Sequence, residues 1–131
     1  MNGTRRIFIS YSSADSEFAR QLADSIKRFG GDASLSFEGA GQQYWLEALR
    51  IKLSESDTVV MVMPPSAAKS SNTTFFEAGA ARALGKNVLV VVPDRSKIDR
   101  GNIPFDIANS VFMDATQEPI DVVAQKILKA A

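Results

Sequence analysis

Two uninterrupted apolar runs, Thr58-Val59-Val60-Met61-Val62-Met63 and Asn87-Val88-Leu89-Val90-Val91-Val92, constrain this chain more than any other feature. A strand with one wet face alternates apolar and polar residues, whereas β-branched runs without a polar break call for burial on both faces. Each run is far too short for a membrane span and is closed by proline, at Pro64-Pro65 and at Pro93-Asp94-Arg95. Helical patterns lie around them. Asp15 to Phe29 sets Phe18, Leu22, Ile26 and Phe29 on one face before Gly30-Gly31 stops it, and Gln42 to Leu53 is marked by Trp45, Leu49 and Leu53. A third helix opens at Asn72 or a neighbouring threonine and runs through Ala78, Ala81 and Leu84 to Gly85. A short first strand (Ile7-Phe8-Ile9), a weaker second one (Ser34-Leu35-Ser36-Phe37) and a short fifth (Val111-Phe112-Met113) complete the strands. A helical turn near Phe105 to Ala108 and a closing helix from about Pro119 to Leu128 complete the helices. Strands alternating with crossover helices predict an α/β fold, a three-layer flavodoxin-like sandwich around a five-stranded parallel sheet of order 2-1-3-4-5.

The 131 residues suffice for one domain with a real core and not for two. Fifteen Lys+Arg balance 15 Asp+Glu, so no global cationic field recruits nucleic acid or an anionic membrane. Cys and His are both absent. That removes disulfides, thiol nucleophiles, histidine bases and the usual zinc ligands together, and no metal or cofactor is expected. Any chemistry rests on carboxylates, hydroxyls, Lys/Arg and backbone. The segment Met1-Asn2-Gly3-Thr4-Arg5-Arg6 leads straight into a strand, with no signal-peptide pattern. The expectation is a cytoplasmic protein, or one domain taken from a longer chain.

Open parallel sheets bind ligands beyond the C-terminal ends of their strands. Three segments converge there: Ser10-Tyr11-Ser12-Ser13, Phe37 to Gly41, and Pro64 to Glu77. Hydroxyls, amides and aromatic rings on one rim suit a ribose or a nucleotide. Glu77 is the carboxylate of that rim, in Thr74-Phe75-Phe76-Glu77, but the same four residues have the spacing of a capping box, in which Glu77 bonds its own helix terminus. Trp45 reads equally as a core anchor or as a ligand-stacking ring. Ser10 and Tyr11 either line the pocket or cap the following turn. Asp15 reads as a helix-start residue and Arg82 as a solvated one.

The order and content of these segments resemble the Toll/interleukin-1 receptor (TIR) domain family, and its bacterial enzymatic members more than its receptor adaptors. Ile7-Phe8-Ile9-Ser10-Tyr11-Ser12-Ser13-Ala14-Asp15 is similar to the family's first motif. Gly41-Gln42-Gln43-Tyr44-Trp45 is similar to its glycine-then-tryptophan opening of the second helix, and Ser54-Glu55-Ser56-Asp57 before the apolar strand also matches. The resemblance implies an NAD glycohydrolase, switched on by self-association in bacterial antiphage defence and controlled by a fused or separate sensor. NAD is then the substrate, Glu77 the catalytic residue, and Ser10, Tyr11, Phe37, Trp45 and Phe76 shape the nucleotide pocket. Thr73 stands where the family often has tryptophan, and Phe75 or Phe76 is the ring available to replace it. Phe76-Glu77-Ala78-Gly79-Ala80 also resembles nucleoside 2-deoxyribosyltransferases, and a non-enzymatic TIR module acting through homotypic contacts at Gly39 to Gly41 is the rival of a different class.

Overall fold

The computed structural model describes residues 5–11, 15–35, 42–63, 71–93, 111–114 and 118–130. In chain order these form β1 (Arg6–Ser10), α1 (Ser16–Arg28), β2 (Asp32–Leu35), α2 (Gln42–Glu55), β3 (Thr58–Val62), α3 (Ser71–Ala83), β4 (Asn87–Val92), β5 (Val111–Asp114) and α4 (Ile120–Ala130). Every strand pairing is parallel, and backbone pairing runs β2-β1-β3-β4-β5.

The apolar runs occupy the middle of the sheet. All of β3 is buried, as is all of β4 except Asn87. Because side chains alternate across a strand, each run supplies two cores. Ile7, Ile9, Val60, Val62, Leu89 and Val91 pack against Leu22 and Ile26 of α1 and Val123 and Ile127 of α4. Phe8, Val59, Met61, Val88 and Val90 pack on the other side, against Leu49 and Leu53 of α2 and Ala78 and Ala81 of α3. Three layers result.

The sequence reading expects a five-stranded parallel sheet of order 2-1-3-4-5, and backbone pairing joins five strands in that order. Among the described residues, β1, β2, β3 and β4 supply the strand side chains of the two cores. The four-residue β5 borders β4, with backbone register running from Leu89 opposite Val111 to Val92 opposite Asp114. The helical turn expected near Phe105 to Ala108 lies outside the described residues.

Helix ends fix where strands begin. α1 closes with Gly30 at φ +94°, its N–H donating to Lys27 O (3.1 Å) and the Gly31 N–H to Ile26 O (3.0 Å). α3 closes alike, with Gly85 at φ +77°, its N–H bonded to Arg82 O (3.0 Å) and Lys86 N–H to Ala81 O (2.9 Å). Both are Schellman terminations, which favour glycine at the left-handed position. The first explains why β2 starts at Asp32, two residues before the sequence reading placed it. Asp32 N–H reaches Arg5 O (2.8 Å) as soon as the turn is complete, setting Arg6 opposite Asp32.

α1 and α4 are tied by Asp121. Its carboxylate accepts a hydrogen bond from Ser25 Oγ and two from Arg28 Nη1, at 2.8 and 3.0 Å. The Arg28 pair is exposed and contributes little. Ser25, by contrast, is fully buried, so losing its acceptor leaves a hydroxyl stranded. Asp121→Ala is expected to cost about 1–2 kcal/mol, read as a lower urea midpoint at unchanged slope. An unmoved midpoint would show that Ser25 finds another acceptor at no cost.

Candidate active site

β1 carries Ser10 to the C-terminal edge of the sheet, where it stands opposite Met61 of β3. Two residues beyond Phe8, it shares that side chain's face and points toward α2 and α3. From the other side α3 presents Ala78 and Ala81, whose small side chains let the helix lie close on the sheet, and Glu77 is carried in beside them. Ser10 is 0% exposed and Glu77 1%. Ser10 Oγ donates a hydrogen bond of 2.6 Å to Glu77 Oε1, joining residues 67 apart in sequence.

Burying a carboxylate among apolar side chains costs several kcal/mol unless hydrogen bonds replace its water. A hydroxyl at this distance is the short, charge-assisted kind that does so. The start of α3 bears on the capping-box reading of Glu77. α3 begins at Ser71, which makes Glu77 its seventh residue. The unpartnered N–H groups of a helix are its first four, so Glu77 lies beyond the reach of a capping box and turns into the protein instead.

The other sequence-nominated residues are placed unevenly. Tyr11 is half-buried and packs against the core on the α1 and α4 side, the face opposite to Ser10. Trp45 lies within α2 and Phe76 within α3, immediately before Glu77. Phe37 lies outside the described residues, as does the Gly39 to Gly41 loop. Asp15 occupies the N-cap position of α1 without a side-chain cap bond, and Arg82 is exposed in the last turn of α3. The structure thus brings Ser10 and Glu77 into contact and turns Tyr11 away from them.

At the opposite edge, Arg6, Asp32, Ser34, Lys52, Glu55 and Ser56 line a polar cavity of about 270 Å³. Arg6 and Asp32 open their strands and Lys52 and Glu55 close α2, so this cavity is at the N-terminal end of the sheet, away from Glu77. Among the described residues no three Asp or Glu side chains gather to hold a metal ion, and no helix is long and apolar enough to cross a membrane.

Residues 7–128 match the family model for the TIR domain. The chain belongs to the TIR domain family. Curated protein sequences give no match to it. Among solved structures, this TIR domain is similar to the RPS4 and RRS1 TIR domain heterodimer, with TM-score 0.69, 13% identity, and 98% of this chain covering 95% of that one. It is similar to the CMP N-glycosidase BcmB of Clostridium botulinum, with TM-score 0.64, 13% identity, and 97% of this chain covering all (100%) of that one. A CheY-like response regulator receiver domain from Methylobacillus flagellatus also matches, with TM-score 0.59, 12% identity and 98% of both chains. At such identities the likeness establishes a shared fold, on which both signalling modules and enzymes are built.

Proposed function

We propose that this TIR domain works by associating with further TIR domains. Family membership over residues 7–128 carries the reading, and a matched structure is itself a pair of TIR domains. Sedimentation of the purified domain over a wide concentration range tests it. Average mass should climb with concentration, and a monomer at every concentration would contradict it.

The buried Ser10–Glu77 pair favours a second, finer reading of the same molecule, in which the domain cleaves the nicotinamide–ribose bond of NAD. A carboxylate retained in an apolar interior, at the sheet edge where this fold binds ligands, is a candidate for chemistry. The reaction asks little else of the protein. Nicotinamide in NAD is cationic, so when the C1′–N bond breaks its electron pair passes to the ring nitrogen and a neutral base departs without a general acid. Positive charge grows on the ribose. One carboxylate beneath the sugar stabilises that charge, where hydrolysis of an ordinary glycoside needs two. Water then attacks C1′ and loses a proton, giving ADP-ribose; capture by the adenine ring of the same molecule gives a cyclic product. A chain without histidine is equipped for this step. Nicotinamide release from NAD tests the reading, and base exchange on a deoxynucleoside in its place would point to the deoxyribosyltransferase alternative.

A further inference from the structure

We propose that Ser10 is a positioning residue for Glu77: its hydroxyl holds Oε1 and so fixes the carboxylate, and it is not a contact for the nucleotide. The inference rests on the glycohydrolase reading for its kinetic arm only.

The face of the sheet that looks toward α2 and α3 carries the argument. Its buried positions on β1, its neighbour β3 and on β4, with Met63 and Val92 at the C-terminal ends, are Phe8, Val59, Met61, Met63, Val88, Val90 and Val92, with Ser10 the exception. All but Ser10 are apolar. A serine in such a row loses its water and gains no packing, so its hydroxyl must find a partner. The partner is Glu77 Oε1 at 2.6 Å. The single hydroxyl proton of Ser10 is committed to Glu77 Oε1, so its effect on a substrate passes through the carboxylate.

The bond performs two tasks. It selects one rotamer for a side chain with three torsions, and a carboxylate misplaced by about 1 Å loses on the order of 100-fold in rate. It also favours the ionised form, the one able to stabilise a growing positive charge, against the penalty of burial.

The test compares Ser10→Ala and Ser10→Thr in the full chain, by NAD kinetics and by carbon NMR titration of ¹³C-labelled glutamate. Ser10→Ala should lower kcat about 100-fold with KM within about twofold, and move the Glu77 titration to higher pH. Ser10→Thr keeps the hydroxyl and should restore both. A raised KM with unchanged kcat would overturn the proposal by making Ser10 a substrate contact, and so would an unmoved titration. The titration needs neither the Thr variant nor turnover. If it moves while no variant, wild type included, releases nicotinamide, the positioning of Glu77 stands and the glycohydrolase reading falls.

Discussion

Glu77→Gln should reduce nicotinamide release from NAD by about 1,000-fold or more while leaving fold and association intact. On the proposed chemistry, the size follows from removing the charge that would stabilise the ribose cation in a water-poor site, where preorganised groups are worth most. The choice of glutamine follows from the geometry. Its side-chain carbonyl oxygen can occupy the place of Oε1 and accept the Ser10 hydroxyl, so the buried pair keeps its hydrogen bond while the charge is removed. That separation makes the variant informative about both readings. Association through TIR contacts does not depend on a carboxylate that is 1% exposed, so sedimentation of the variant should follow the wild type. Unfolded variant protein would show Glu77 to be a structural requirement, and unimpaired release would remove it from the chemistry. Circular dichroism on the assayed samples distinguishes the two.

Phe8→Ala should be the most destabilising single substitution in β1, at about 3–5 kcal/mol. Phe8 is wholly buried on the α2 and α3 face, beside Val59 of β3, and the void it leaves is walled by a sheet and two helices that cannot all close on it. A domain of this size has roughly 5–15 kcal/mol in total, so the variant loses a large share of its stability. Urea unfolding should show the midpoint falling steeply. Function should fall with it, because Ser10 is two residues further along the same strand face. A loss below about 1 kcal/mol would mean that α2 collapses into the space and that this face of the sandwich is softer than its burial indicates.

Much of this was readable in the sequence, for identifiable reasons. Thr58–Val62 and Asn87–Val92 declare themselves because strands buried on both faces tolerate no polar break, and Gly30 and Gly85 mark helix ends because a left-handed residue is needed there. β2 was misplaced by two residues because an edge strand of pattern exposed, buried and half-buried gives little periodicity, and its register comes from the α1 termination and from pairing with β1. Val111 to Met113 is legible for the reason that β3 and β4 are, an apolar run that signals the strand pairing with β4. At the candidate site, Glu77 and Ser10 were each singled out, yet their contact was not visible. Thr74-Phe75-Phe76-Glu77 has a local spacing that suggests a local partner, whereas the real partner is 67 residues away on another element. Tyr11 shows the converse. Adjacent to Ser10 in sequence, it reads with it as either a pocket-lining or a turn-capping residue, but alternation along the chain sends it to the α1 and α4 side.

The most direct test is nicotinamide release from NAD by the wild-type domain, measured per molecule as concentration is raised or as the protein is tethered on a surface, with ADP-ribose separated from cyclic product. If the domain is a glycohydrolase switched on by association, as proposed, the rate of release per molecule should grow with crowding. No release from folded, clustered protein would contradict the enzymatic reading and leave a TIR domain that acts through its contacts alone.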